Sequence, residues 1–255
     1  MATALVTGAT AGIGAAYAKH LAREGFDLVL VARDKKRLTD TAKILSKEFH
    51  VKCEVLVADL SKISQLAKVE KRLTNKLKPI EVLVNNAGFG INKSFLDSNR
   101  EAEQQLLDVL VTAPMRLTHA VLPFMKDRNS GTVVNVSSVA SWIAGGTYSA
   151  AKSYLTVFTE SLHTELRGTK VNISALCPGF TRTEFHQRGR MKMNGLPNFM
   201  WLSADKVVAK SWKAAKVGKA ISVPGWQYLI LSSISRFGPR PLVRRIGMNV
   251  RKKQR

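Results

Sequence analysis

The chain reads as a doubly wound α/β fold, a Rossmann-like parallel sheet with helices on both faces in a single domain. Three observations lead there. Short apolar runs alternate with amphipathic stretches from the first residues onward, as a parallel sheet requires, because each strand must be followed by a crossover helix. A glycine turn, Thr7-Gly8-Ala9-Thr10-Ala11-Gly12-Ile13-Gly14, joins the first apolar run to the first amphipathic one. At 255 residues and 45% hydrophobic content the chain has core enough for a domain of this size.

Residues 2–7 form the first strand, and the glycine turn opens a helix that runs to Glu24 and stops at Gly25. Glycines there let backbone approach a pyrophosphate, whose charge would lie at the helix N-terminus. The spacing is TGxxxGIG rather than GxGxxG, so the general dinucleotide fingerprint is matched in kind and not in letter. Leu28 to Ala32 make the second strand, ending in Ala32-Arg33. A dinucleotide fold reads the ribose at that point, with an acid for a 2′-hydroxyl or a base for a 2′-phosphate. Arg33 favours NADP (NADPH), with Asp34 and a merely solvated Arg33 as the competing readings. A helix over residues 35–49 and a strand over 51–57 lead to Asp59-Leu60, where Asp59 either bonds an adenine or caps the next helix. After a helix near residues 64–77, a strand from Glu81 runs into Asn85-Asn86-Ala87-Gly88. A long helix over residues 101–125 and a strand over 133–136 then reach Ser137 and Ser138, at the carboxyl side of the sheet where such folds bind ligands.

Behind Gly145 and Gly146 a helix opens at Thr147, placing Tyr148 and Lys152 four apart on one face. Hydride delivery to a carbonyl carbon leaves an alkoxide, so a proton donor and a hydrogen-bond donor must already face that oxygen. Tyr148 is the expected acid, Lys152 the cation that lowers its pKa, and Ser138 the oxyanion donor, with Ser137 as alternative. Taken alone, a Tyr and a Lys at this spacing also describe a half-buried aromatic beside a solvated charge.

Together these motifs resemble the short-chain dehydrogenase/reductase family, over residues 1 to about 225. The resemblance implies that Gly8, Thr10, Gly12, Ile13 and Gly14 line the pyrophosphate and that Asp59 and Leu60 meet the adenine. Asn86, Ala87 and Gly88 would stabilise the central strand beside the cofactor. It also implies that Pro178-Gly179-Phe180-Thr181-Arg182-Thr183 follows the sixth strand, Thr183 holding the nicotinamide carboxamide with Pro178 and Gly179 beside it. Tyr148 and Lys152 keep the derived roles, Lys152 also bonding the nicotinamide ribose. The nearest branch is that of long-chain 3-oxoacyl reductases, such as the actinobacterial mycolate-type ketoreductases, with related steroid dehydrogenases as the alternative. No metal is implied. Homodimers or homotetramers are.

Two departures stand out. The family's relay Asn, which helps hold a water, falls on Leu110, and leucine cannot hydrogen-bond. Ser138 and Tyr148 also lie closer in sequence than is usual in the family. A cofactor-binding sensor or scaffold without turnover is therefore a second reading, with Leu110 as its support. Residues 184–203 mix Phe185, Phe199, Met200 and Trp201 around Gly195 and Pro197 as a lid would, and suggest a hydrophobic carbonyl substrate. His119, His163 and His186 read as packing or surface residues.

The net charge of +22 implies an anionic partner. No acidic residue follows Asp205, whereas eight Arg or Lys lie between Arg236 and Arg255. We therefore divide the chain into a reductase domain, residues 1–225, and a basic, partly apolar extension, 226–255. Peripheral contact with an anionic membrane is the leading reading of that extension, ahead of a pocket cover or intersubunit contact. A nucleic-acid partner is not expected, because no helix-turn-helix, zinc or aromatic-platform motif accompanies the charge. No apolar run reaches the roughly 20 residues of a membrane span. The chain starts on strand-like residues without a basic leader, so cytoplasmic residence is expected. Cys53 and Cys177 are expected to be reduced, partly for want of any metal-type spacing.

Overall fold

A computed structural model describes residues 2–189, 191 and 196–245. The chain alternates β1 (Thr3–Thr7), α1 (Gly12–Arg23), β2 (Asp27–Ala32), α2 (Lys35–Phe49), β3 (Cys53–Val57), α3 (Ile63–Leu73) and β4 (Val82–Asn85). It continues through α4 (Arg100–Leu107), α5 (Ala113–Asp127), β5 (Gly131–Val136), α6 (Thr147–Glu165) and β6 (Val171–Leu176). Seven strands pair in parallel in the order β3-β2-β1-β4-β5-β6-β9, the last being Ile221–Ser222. Chain order reverses between β1 and β4, which opens the crevice at the carboxyl ends of the strands.

Pleating sends alternate strand residues to opposite faces. Ala4, Val6, Leu28 and Leu30 pack with Tyr17 and Leu21 of α1, Leu38 of α2 and Trp212 of a later helix. Leu5, Val29 and Val31 pack on the other side with Leu66 and Val69 of α3 and Leu117 and Val121 of α5. Strands buried on both faces explain why these segments read as continuous apolar runs. Both cysteines are free thiols, Cys177 buried and Cys53 partly so.

The structure corrects two expected helices. The helix expected over 64–77 ends at Leu73, and Leu77 projects into solvent. The long helix expected over 101–125 is interrupted by a π-helical turn, Asp108–Thr112, between α4 and α5. Such turns re-aim side chains by inserting an extra residue per turn, and they cluster at functional sites. Leu110 sits in this one.

Past β6, the chain forms a two-stranded parallel pair, β7 (Thr181–Arg182) with β8 (Leu202–Ser203), that ties together the two ends of the expected lid. The short helix α7 (Phe185–Arg188) and a 3₁₀ turn at Asn198–Met200 lie between them. Arg190 and residues 192–195, including Gly195, lie outside the described residues. Helix α8 (Ala204–Lys216) packs on α1, where the Tyr17 hydroxyl donates to Ser211 Oγ at 2.5 Å. The final long helix, α9 (Trp226–Phe237), stops at Gly238 before Pro239, as the proline predicts. The chain then turns helical again over 240–245, and residues 246–255 of the basic extension lie outside the described residues. Among the described residues no helix is long and apolar enough to cross a membrane.

Candidate active site

The site grows from the ends of β1 and β4. Thr7 Oγ1 accepts from the backbone N–H groups of Asn86 and Ala87 at 2.9 and 3.0 Å. Asn86 Nδ2 donates back to the carbonyls of Thr7 at 2.9 Å and Gly8 at 3.3 Å. This lacing holds the glycine turn against the central strand. Gly8 and Gly12 have φ of +67° and +56°, a region costly to any residue with a Cβ. A Cβ on Gly14 would collide with the Gly8 carbonyl and Asn86 Nδ2. The start of α1 has no side-chain cap, so its first N–H groups are available to an anion. Thr10 and Ile13 are part-buried in the same turn.

At the end of β2, Arg33 is exposed. The competing Asp34 is engaged elsewhere: its carboxylate caps α2 by accepting from Arg37 N at 3.0 Å. Arg37 in turn makes a two-pronged pair with Glu184, at 3.2 and 2.8 Å, and Arg188 Nε reaches the same carboxylate at 3.0 Å. The start of α2 is thereby tied to α7. Asp59 accepts from both the N–H and the hydroxyl of Ser61, at 3.0 and 2.8 Å. It shapes the turn before α3, whose cap residue is Lys62, while Leu60 is buried.

The two serines at the end of β5 separate by environment. Ser137 is buried and spends its hydroxyl on the Lys152 carbonyl and Thr156 Oγ1, at 2.9 and 2.7 Å. Ser138 accepts from Ala140 N at 3.1 Å, and its side chain faces the Tyr148 phenol, whose pKa it lowers. The short Ser138–Tyr148 loop contains one 3₁₀ turn, Val139–Trp142. Helix α6 then presents Tyr148 and Lys152 on one side, with Lys152 Nζ 5.7 Å from the centre of the Tyr148 ring. The ammonium donates to the Val136 carbonyl at 2.7 Å.

One expectation is reversed here. Lys152 was expected to lower the Tyr148 pKa, yet burial pushes Tyr148 up to about 12, offset only in part by Ser138. Burial also pushes Lys152 down to about 8. Desolvation is the largest influence on both groups, and the ammonium is turned to Val136. Tyr148 is thus held protonated at neutral pH, the state an acid needs, and Lys152 remains charged.

Leu110 is buried with Leu106 and Ala151, and its Cδ2 lies 2.7 Å from where a Cβ on Gly88 would stand. Hydrocarbon thus fills the place expected for an amide. Behind it lies a cavity of about 10 Å³ lined by Thr7, Asn85, Leu110, Val136 and Lys152 among others. Asn85 belongs to that lining, and its buried Oδ1 has no hydrogen-bond partner among the described residues.

The segment expected to form a lid is aromatic. Phe185 covers Tyr148 with ring centres 5.9 Å apart, and a Cβ on Gly90 would strike Met191. His186 sits edge-on between Phe185 and Trp201, with ring centres 5.5 and 5.4 Å away, as a packing residue would. Pro178 accepts from Val139 N at 3.1 Å. Gly179 lies flat against the Tyr228 ring, where no Cβ fits. The Tyr228 hydroxyl accepts from Phe180 N at 2.9 Å and donates to the Met200 carbonyl at 2.6 Å. Thr183 closes on the glycine turn, its Cβ 3.0 Å from a Cβ built on Gly12. Sequence reasoning missed Asn85, Glu184 and Tyr228. Asn85 had a local signal as the first residue of NNAG, and Glu184 had its i,i+4 pair with Arg188; Tyr228 and the Arg37–Glu184 pair act through contacts remote in sequence.

A parallel sheet with a glycine turn at its switch point, and a Ser, Tyr and Lys at the neighbouring strand end, defines a nucleotide-dependent oxidoreductase. The profile of the short chain dehydrogenases matches residues 2–194, and the chain belongs to that family. It is 36% identical over 181 residues to the ketoacyl reductase HetN of Nostoc, covering 70% of this chain and 63% of that protein. A very-long-chain 3-oxoacyl-CoA reductase of Danio rerio is 29% identical over 99% of this chain and 79% of its own length. A solved short-chain dehydrogenase from Sphingobium yanoikuyae, in complex with NADPH, superposes with a TM-score of 0.84 at 33% identity, covering 91% of this chain and 93% of that one.

Proposed function

We propose that the chain is an NADPH-dependent reductase that converts a ketone on a hydrophobic, long-chain 3-oxoacyl-type substrate into a secondary alcohol. The observation that carries this reading is the convergence of Ser138, Tyr148 and Lys152 at the carboxyl end of β5, beside the uncapped start of α1. The residues fit a dinucleotide: Gly14 has no room for a Cβ, and the α1 N–H groups lack a side-chain partner. Gly8, Thr10, Gly12, Ile13 and Gly14 would hold the pyrophosphate. Asp59 and Leu60 would flank the adenine, and Asn86, Ala87 and Gly88 would support the nicotinamide half with Pro178, Gly179 and Thr183. Exposed Arg33, with Asp34 committed to α2, supports a 2′-phosphate. The Sphingobium protein's complex with NADPH points the same way.

Such a cofactor supplies the hydride that adds to the carbonyl carbon. Ser138 donates a hydrogen bond to the carbonyl oxygen and Tyr148 transfers its proton there. Lys152 stabilises the resulting tyrosinate. The proton is restored through a water in the 10 Å³ cavity, held by Asn85 Oδ1. Leu110 then shapes this path without joining it. The aromatic lid and the names of the Nostoc and Danio relatives support the acyl substrate. Exposed Tyr154 and Val157 on α6 support a homodimer or homotetramer, and cytoplasmic residence belongs to the same reading.

The test is a screen of NADPH oxidation with 3-oxoacyl esters of increasing chain length and with short hydrophilic ketones. Turnover that rises with chain length, and that falls by about 10²- to 10⁴-fold in Tyr148→Phe, is expected. Turnover confined to short hydrophilic ketones would refute the substrate class.

A further inference from the structure

Helix α9 is built inside out. Its buried residues are Gln227, Tyr228 and Ser232. Trp226, Leu229, Ile230, Ile234 and Phe237, at three- and four-residue steps, form one outer stripe in which every residue is at least 50% exposed and Phe237 is 83% exposed. A helix packed on a core ordinarily has the opposite arrangement. The inner polarity has a cause: Tyr228 binds Phe180 and Met200, and Gln227 Nε2 donates to the Phe199 carbonyl at 2.9 Å. Nothing within the described residues accounts for the outer stripe, and contiguous apolar surface of this kind marks a binding face.

Charge indicates what covers it. Arg236, Arg240, Arg244 and Arg245 lie on or just beyond the helix, and no Asp or Glu follows Asp205. Arg236 is partly engaged, 3.8 Å from Glu160 and stacked over Trp142 at 5.3 Å. Twelve residues make a helix of about 18 Å, well short of a ~30 Å hydrocarbon core. Such a helix lies along a bilayer rather than across it. We propose that the outer face of α9 is a docking surface for an anionic lipid bilayer, its apolar stripe entering the acyl boundary while the arginines meet lipid phosphates. A symmetric contact with a second copy would instead set one basic rim on another. Since α9 pins the loop and lid at Phe180, Phe199 and Met200, docking would bring the active-site mouth to the lipid surface.

The surface does not depend on the reaction proposed above, because binding is read without cofactor or ketone. Full-length protein is floated with vesicles of phosphatidylcholine alone and with about one-third phosphatidylglycerol, in ~0.1 M salt. Flotation with the anionic vesicles only is expected. An Ile230→Ser, Ile234→Ser, Phe237→Ser variant, altered only at exposed positions, should keep its melting temperature and lose about tenfold or more of the partition. Should that variant fail to fold, Arg240→Glu with Arg244→Glu provides the second arm, with loss of anionic binding expected. Wild-type protein that never floats, or variants that float like wild type, overturns the proposal. So does a stripe variant that only shortens an oligomer in sedimentation equilibrium, which would make the face a subunit contact.

Discussion

Lys152 sets the pH behaviour of the site. It is charged below a pKa of about 8 and neutral above it, whereas Tyr148, at about 12, keeps its proton throughout. Reduction needs both protons. The reductive kcat/KM should therefore be flat at neutral pH and fall as pH rises through about 8, a profile that stopped-flow or steady-state assays can trace. Leu110 makes a second test at this scale. With hydrocarbon packed against Gly88 and the orphaned Asn85 Oδ1 behind it, Leu110→Asn should not raise turnover. A large gain would mean that the native proton path is impaired, and would favour a binding protein over an enzyme.

Among the elements, the π turn at Asp108–Thr112 and α9 matter most to the site. The π turn delivers Leu110 to the cavity wall behind Lys152. Helix α9 acts as a backstop, since Tyr228 joins the loop after β6 to the 3₁₀ turn of the lid by two hydrogen bonds. Tyr228→Phe removes both and leaves Phe180 N unpaired, which should cost about 1–3 kcal/mol in chemical unfolding. The loosened lid should raise KM for substrate more than it lowers kcat.

For the whole molecule, cofactor binding should appear as stability. A ligand that binds only the folded chain adds about 2.7 kcal/mol at a hundred times its Kd. NADPH should raise the melting temperature more than equimolar NADH. Arg33→Ala should abolish that difference, because a charge-assisted bond to phosphate is worth about 1.5–3 kcal/mol. Equal shifts with both nucleotides in the wild type would leave the fold in place and remove the preference for NADPH. The net charge of +22 makes any phosphate-bearing ligand bind more tightly at low ionic strength, so the comparison belongs at fixed salt.

Local pattern was enough for much of this protein. Alternating apolar runs and glycine punctuation specified a parallel α/β sheet, since each strand's burial on both faces is written into its own residues. Helical spacing alone put Tyr148 beside Lys152, and Pro239 ended α9. Tertiary packing decided the rest. It turned Ser137 inward to Thr156 and left Ser138 facing Tyr148, and it committed Asp34 to a helix cap beside an exposed Arg33. It also reversed the expected direction of the Tyr148 pKa, because desolvation of the phenol is the largest influence on it. Tyr228 carried no local signal, as its partners lie 48 and 28 residues away, and the i,i+4 pair of Glu184 with Arg188 gave no sign of the Arg37 contact 147 residues away. Spacing along the chain determines which groups share a face; desolvation and long-range contacts determine what those groups can do.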